Sequence, residues 1–356
     1  MHEKFLLAAL EQARLGRGLC APNPSVGAVA VQNGVIIAQA WHRGAGTPHA
    51  EQLLLAQIPP GTPDITLYIT LEPCNHWGKT PPCVDAIISH GIKEVFFAFK
   101  DPNPIVAQND SSSILHQQGI KVTHLSLPVI DEFYKSYAYW TITKKPWVTV
   151  KMAHTFDGKI GQSEGGRLIL SNALCAQFTH EMRAASDVIL STARTVELDN
   201  PQLNVRLDGQ EQARVIAVID SNLSLNKNAL MFSKASHCHI YYNDELTHAK
   251  NKFSSESNIS YHAIPANNGF LDLNQVISHL GESGYHDVWV EAGGTIFGSL
   301  HVEGLVNRTY LYLVPAILGQ RGVNAYSSAG LFSRTHTLSW QAMGDNMIAC
   351  LDWLED

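Results

Sequence analysis

The stretch HAEQLLL at His49–Leu55 is followed, after one apolar run, by TLEPCNHWGKTPPC at Thr70–Cys83. A histidine, an acid two positions on, and two of the chain's six cysteines set beside prolines are the ingredients of a metal centre with a proton carrier. Zn²⁺ favours imidazole nitrogen and thiolate sulfur and is usually four-coordinate; three protein ligands leave one position for water, the mark of a catalytic site. His49, Cys74 and Cys83 supply three ligands. No fourth Cys or His is an obvious partner, although His76 is close in sequence. A structural zinc site would more often show four protein ligands. Glu51 falls at the start of a helix that begins after His49, where a carboxylate can reach activated water without ligating the metal. The pKa of water on zinc drops to about 7. Glu51 can then take the proton and pass it to a ring nitrogen and a leaving amine.

The elements that must hold these residues are legible around them. The opening MHEKFLLAALEQARLGRG puts Phe5, Leu6, Ala9, Leu10 and Ala13 at helical spacing, an amphipathic helix rather than a signal peptide. Asn33-Gly34 between two β-rich runs predicts a hairpin. Helices are expected at 50–57, 84–90, 111–118 and 128–143, and strands at 65–71, 94–99 and 121–124. Strands alternating with helices indicate an α/β layer fold. The pattern restarts near residue 145. WVTVKMAHTFDGKI reads as a strand running into a turn at Asp157-Gly158, ALCAQFTHEMRAA as a helix, and DVIL and RVIAVID as short strands. DVWVEAGGTIFGSL reads as a strand, a glycine turn and a helix. Two domains are therefore expected, 1–145 and 146–356.

Composition excludes several classes. The 356 residues carry a net charge of −7 and no Lys/Arg-rich run, which argues against nucleic acid or an anionic membrane as the main partner. No apolar run reaches the ~18 residues of a membrane span. The chain is expected in the cytoplasm, where thiols stay reduced. Cys20, Cys175, Cys238 and Cys350 read as structural thiols.

The arrangement follows the H-x-E…P-C-x-x-C logic of the zinc deaminases, with a departure: eight residues, NHWGKTPP, separate the two cysteines. With PNPSVGAV upstream and DPNP at Asp101–Pro104, this longer form resembles the bifunctional pyrimidine deaminase/reductase of riboflavin biosynthesis. The resemblance extends through HTFDGKI, TVELDNP and VEAGGTIFGSL, and so covers nearly the whole chain.

That resemblance implies a cytidine-deaminase-like three-layer α/β/α domain followed by a dihydrofolate-reductase-like α/β domain. The first would hydrolyse the 2-amino group of 2,5-diamino-6-(5-phosphoribosylamino)pyrimidin-4(3H)-one, with one zinc per chain on His49, Cys74 and Cys83 and with Glu51 as proton shuttle. The second would use NADPH to reduce the ribosyl chain of 5-amino-6-(5-phosphoribosylamino)uracil to ribityl. A phosphorylated substrate wants donors and positive charge. His76, Lys79 and Thr80 supply these between the cysteines, and Asn23 can bond the pyrimidine edge. The plainer alternatives are a solvated loop lysine at 79 and a turn residue at 23. There is no G-x-G-x-x-G after the first strand of the second half, so a Rossmann fingerprint is absent. Glycines at Glu291–Gly298 instead let backbone N–H groups approach a phosphate at a helix start.

By the same resemblance Gly293, Gly294, Thr295, Ile296, Phe297, Gly298 and Ser299 contact NADPH, as do Ala153, Thr195, Asp199 and Ser221. Arg183, Leu203 and Arg206 match substrate positions, where an arginine can pair with the ribose phosphate, and Glu291 faces substrate; Lys151 points from the first strand towards the same cleft. GRLILS departs from the family's aromatic-containing stretch. Ile169 takes the tryptophan's place in the cofactor set. Arg167 stands where serine is usual; it is placed with the substrate contacts, and its guanidinium can stack on the adenine or pair with a phosphate. HTFDG likewise replaces a more usual Ser-Leu-Asp-Gly. Family members assemble as dimers or tetramers, so a homo-oligomer is expected. Three other readings stay open: a deaminase whose second domain only binds or dimerises, a nucleic-acid-editing deaminase, and a zinc-stabilised scaffold. The charge disfavours the second, and Glu51, which a scaffold would not need, disfavours the third.

Overall fold

The structure, a computed structural model, describes residues 2–77, 81–104, 110–163, 168–246, 257–326 and 330–354. The chain divides into two compact units, Met1–Lys144 and Lys145–Asp356.

The first unit runs α1 (Glu3–Arg14), β1 (Gly27–Gln32), β2 (Val35–Trp41), α2 (Ala50–Leu55), β3 (Ile65–Leu71), α3 (Cys83–Ser89), β4 (Glu94–Phe99), α4 (Ser111–Gln117), β5 (Lys121–His124) and α5 (Pro128–Thr143). The strands form one sheet in the order β2-β1-β3-β4-β5. β1 is antiparallel to β2 and β3, and β3, β4 and β5 are parallel. Asn33 and Gly34 take φ values of 52° and 79°, the left-handed pair that a two-residue hairpin turn requires. Alternation along β1 divides the core. Val29 and Val31 pack with Tyr68 and Phe96 against α1 and α5. Ala28 and Ala30 pack with Leu67 and Ile69 against α2, α3 and α4. The result is a three-layer α/β/α sandwich whose central strands β1, β3 and β4 are buried on both faces.

The second unit contains β6 (Trp147–Thr155), β7 (Lys159–Gln162), α6 (Ala173–Ala185), β8 (Val188–Thr192), α7 (Ala193–Asp199), β9 (Val205–Leu207), β10 (Gln210–Gln212), β11 (Arg214–Ile219), α8 (Leu230–Lys234) and β12 (Ala235–Asn243). It continues with β13 (Ile259–Ile264), β14 (Ala266–Asn267), β15 (Phe270–Leu271), α9 (Leu273–Glu282), β16 (Asp287–Glu291), α10 (Gly294–Val302), β17 (Arg308–Val314), β18 (Gly322–Asn324), β19 (His336–Met343) and β20 (Asn346–Trp353). Among the described residues the main sheet has the order β13-β12-β11-β8-β16-β6-β17-β20-β19. Strands β13 to β17 in that order are parallel; β20 and β19 are antiparallel. β16 comes late in the chain yet lies between β8 and β6. The carboxyl ends of β6, β16, β8 and β11 therefore meet along one edge, the place where open α/β sheets bind ligands.

The packing of α1 on the first sheet is backbone against backbone. A Cβ at Gly27 would lie 2.0 Å from the Ala9 carbonyl oxygen and 2.4 Å from the Ala13 nitrogen. Both atoms belong to a helix and cannot yield without moving it. Gly27→Ala should therefore destabilise the first unit by about 1–3 kcal/mol, the usual cost of overpacking. Calorimetry would show its transition lowered by several degrees and that of the second unit in place; an unchanged first transition would mean α1 is free to shift.

Candidate active sites

In the first unit, two helix starts and a strand end converge. His49 is the N-cap of α2, in extended conformation with φ −70° and ψ 163°. Cys83 is the first residue of α3, after Pro82. Cys74 lies just past β3. The Val84 N–H donates to the Cys74 carbonyl at 3.2 Å, and the Cys83 N–H to the Cys74 sulfur at 3.4 Å. The His49 Nδ1 atom sits 3.4 Å from the Cys74 sulfur and 3.3 Å from the Cys83 sulfur. All three ligand atoms fall within 4.8 Å of one another, the one such group among the described residues. Tetrahedral zinc with its usual bond lengths sets N···S separations near roughly 3.5 Å. The residues therefore fit the metal. The Cys83 thiol, hydrogen-bonded to the Cys74 sulfur, and the His49 ring hold Cys74 below the usual thiol range; that same bond and burial push Cys83 up.

Glu51 is 4 % exposed. Burial pushes its carboxyl up to about 7, Cys74 adding to the shift and the His49 ring opposing it. A group that must accept and return a proton works best with its affinity near the operating pH. His42, which the sequence reading missed, is 2 % exposed and meets the His49 ring edge-on, with centroids 5.3 Å apart. Its Nδ1 lies 3.2 Å from the Pro48 carbonyl and its Nε2 3.1 Å from the Asn23 amide nitrogen. Burial lowers its pKa. A neutral ring then donates to Pro48, accepts from Asn23, and holds Asn23 in place. A histidine seven residues before His49, in the glycine-rich WHRGAGTPH, was the available signal. Among the described residues His76 Nδ1 is buried with no hydrogen-bond partner. Lys79 and Thr80 lie outside the described residues.

In the second unit, Glu291 ends β16. Its Oε1 accepts from Arg183 Nε at 2.5 Å and from the Trp289 indole at 2.8 Å; its Oε2 accepts from Arg183 at 2.9 Å. Burial pushes the carboxyl up, but Arg183, Lys151 and the indole outweigh it and hold Glu291 at about 2. Arg183 is 8 % exposed and also donates to the Asn204 carbonyl at 3.0 Å. The guanidinium expected to pair with a ribose phosphate is thus already bound to Glu291 by a two-point contact. Lys151 lies on β6 with its nitrogen 4.9 Å from the Tyr312 ring centre, and burial lowers its pKa. Arg206 donates to Asn204 at 2.5 Å and to Gln202 at 3.1 Å. Asn204, Trp289 and Tyr312, none singled out from the sequence, complete this network.

The other expected contacts separate by direction. Ala153 is near the end of β6, Thr195 in the first turn of α7 after β8, and Ser221 in the turn after β11, all along the same sheet edge. Asp199 is exposed at the end of α7. Gly293 caps α10, no side chain caps that helix, and a Cβ there would meet nothing within 4 Å. Open space before uncapped N–H groups fits the phosphate of a dinucleotide. At Gly294 a Cβ would strike the Ala325 carbonyl at 2.4 Å. Thr295 is exposed, and Ile296 and Ser299 are half-buried. Phe297 and Leu203, by contrast, turn their side chains into the core at 0 % and 2 % exposure, and Gly298 is buried. What Leu203 can offer a ligand is backbone, held at φ +50°. Ile169 is 75 % exposed. Arg167 lies outside the described residues.

Cys83→Ser should lower bound zinc well below one per chain by elemental analysis; full retention would remove Cys83 from the ligand set. The Glu291 carboxyl has a folded-state pKa of about 2 against an ordinary 4.5. Its stabilisation is therefore complete above pH ~4.5 and is lost as pH falls toward ~2, amounting to about 3 kcal/mol. Glu291→Gln should flatten this part of the second unit's acid-unfolding profile. An unaltered profile would mean the ion pair contributes nothing to stability.

Residues 1–99 match the family of the cytidine and deoxycytidylate deaminase zinc-binding region, and residues 146–349 match the RibD C-terminal domain. Riboflavin biosynthesis protein RibD of Escherichia coli is 33% identical, with 89% of this chain and 88% of that protein covered. The Bacillus amyloliquefaciens protein of the same name is 31% identical over 90% and 86%. Among solved structures, RibD of Acinetobacter baumannii superposes with a TM-score of 0.83 at 25% identity, covering 99% of each chain. A Thermotoga maritima deaminase/reductase superposes with a TM-score of 0.84 at 27% identity, also covering 99% of each. With both units matched in order and relatives aligned over about nine-tenths of the chain, this chain belongs to the RibD family of riboflavin biosynthesis proteins.

Proposed function

We propose that the chain carries out two consecutive steps of riboflavin biosynthesis. The first unit removes the 2-amino group of 2,5-diamino-6-(5-phosphoribosylamino)pyrimidin-4(3H)-one with water, releasing ammonia. The second reduces the ribosyl chain of 5-amino-6-(5-phosphoribosylamino)uracil with NADPH. The Thermotoga maritima relative is a diaminohydroxyphosphoribosylaminopyrimidine deaminase/5-amino-6-(5-phosphoribosylamino)uracil reductase. The observation that carries the reading is Glu51, buried beside the His49, Cys74 and Cys83 ligand atoms.

Zn²⁺ bound by His49, Cys74 and Cys83 supplies Lewis acidity that makes water nucleophilic near neutral pH. The Glu51 carboxylate accepts the proton of the attacking water and delivers it to the ring nitrogen. It then takes the second proton from the hydroxyl now on the carbon and passes it to the leaving amine as the C–N bond breaks, so ammonia departs, the carbonyl forms and the carboxylate is restored. Asn23, held by His42, is proposed to bond the pyrimidine edge. His76, with Lys79 and Thr80, is proposed for the phosphoribosyl end.

NADPH supplies the hydride in the second unit. Gly293, Gly294 and Thr295 at the start of α10, with Ala153, Thr195 and Ser221 along the sheet edge and Asp199 at the end of α7, are proposed to hold it. Ile296, Ser299 and the backbone of Phe297 and Gly298 complete that run, Ile169 belongs with the same cofactor set, and Arg167 is proposed among the substrate contacts. Lys151, Glu291, Arg206 and the Leu203 backbone face the substrate, with Arg183 holding Glu291. Free thiols at all six cysteines support a cytoplasmic enzyme. A homo-oligomer fits the outer strand β19, where Leu338 and Trp340 are 50 % and 55 % exposed.

Ammonia release and NADPH oxidation should each be measurable on the separate substrates. Glu51→Gln should keep its zinc and lose deamination by about 10²–10⁴-fold, the usual contribution of such a group. The same variant should reduce the deaminated substrate at the wild-type rate. Deamination at full rate would remove Glu51 from its role; a wild-type chain that never oxidises NADPH would reduce the second unit to a binding domain.

A further inference from the structure

Trp289 and Glu291 are two residues apart on β16 and therefore share one face of the sheet. Trp289 is 1 % exposed, packed among Ile189, Ile216 and Val218 with Tyr310 alongside. A buried indole in an apolar core must find an acceptor for its N–H, and here the acceptor is Glu291 Oε1 at 2.8 Å. An ionised carboxylate offers about four acceptor positions. Arg183 Nε and the indole occupy both on Oε1, and the second Arg183 nitrogen occupies one on Oε2. Arg183 is fixed in turn by the Asn204 carbonyl at 3.0 Å. The Ser191 hydroxyl donates to the Glu291 carbonyl at 2.7 Å, so the backbone is held as well.

We infer that Trp289 is a positioning residue of the reductase site. With Arg183 it locks the Glu291 carboxylate so that one acceptor position, on Oε2, is presented to a hydroxyl of the substrate's sugar chain. This rests on the reductase reading above and adds to it the reason that Glu291 has one orientation. Arg183 alone would still allow the carboxylate to rock about its bond, because guanidinium and carboxylate can pair by more than one edge. The indole donor singles out Oε1 and removes that freedom. Ordering the acceptor beforehand lowers the entropy lost on binding, so the effect belongs to substrate affinity.

The test separates the N–H from the shape of the ring. Trp289→Phe removes the donor and part of the volume. 3-Benzothienylalanine introduced at position 289 alone keeps the bicyclic shape and lacks the N–H. Binding of 5-amino-6-(5-phosphoribosylamino)uracil to the full chain is measured by calorimetry without NADPH. The expected result is affinity lowered about tenfold or more in the benzothienyl chain, in keeping with loss of a hydrogen bond to a charged group. Its NADPH affinity and ammonia release should match the wild type. Wild-type substrate affinity in the benzothienyl chain overturns the inference, whether or not Trp289→Phe folds. A wild-type chain that neither binds this substrate nor oxidises NADPH overturns the reductase reading itself, and the role of Trp289 with it.

Discussion

A carboxylate and two cysteine sulfurs buried within reach of one another repel as soon as more than one of them ionises, and desolvation penalises every charge. Glu51, Cys74 and Cys83 are in that position. They cannot separate, because the backbone holds them there. His49 and Cys83 start helices α2 and α3, and Cys74 is tied to the start of α3 by two backbone contacts. A divalent cation resolves the conflict, since both sulfurs can then be thiolates and the histidine neutral. The sandwich around the site serves to hold these ends in register. Gly27 lets α1 lie against β1 on one face, and α2 and α3 pack on the other.

The second unit meets a similar problem with a resident cation. Glu291 is neutralised by Arg183 through two hydrogen bonds, and the helix bearing Arg183 is itself anchored. Arg214, 3 % exposed at the start of β11, donates to the carbonyls of Arg183 and Ala184 at 3.2 and 2.9 Å. Carbonyls at a helix end lack the usual intrahelical donors, and of these two only Arg183's receives a local one, the Ser186 N–H at 3.4 Å. A buried arginine on the neighbouring strand satisfies them and keeps α6 at the depth that lets Arg183 reach β16.

The two sites also differ in what they ask of the backbone. The first uses side chains on helix starts. The second uses the carboxyl edge of a parallel sheet, where strand ends and turns expose main-chain groups. Leu203 is held left-handed at φ +50°, a conformation that costs a non-glycine residue about 1–2 kcal/mol. Gly293 leaves the approach to α10 open. Side-chain identity is therefore a weaker guide to the second site than to the first.

That difference explains how much of the molecule the sequence disclosed. In the first unit, strong periodicity and turn chemistry marked β3, β4, β5 and α5 to the residue, and Asn33-Gly34 marked the hairpin. The ligand set was legible because imidazole, thiolate and carboxylate have few other reasons to be buried together. The late strands β17, β19 and β20 carry no comparable signal. β19 is almost wholly exposed at a sheet edge, so nothing forces its residues to alternate. His42 looked like any loop histidine, and its contact with His49 depends on β2 returning beside α2. The partner of Arg183 could not be read either. Glu291 lies 108 positions away, and only the insertion of β16 between β8 and β6 brings them within a hydrogen bond. Residue types and short spacings determined the local elements and the metal chemistry. Strand order, which depends on the packing of the whole sheet, decided which charges meet.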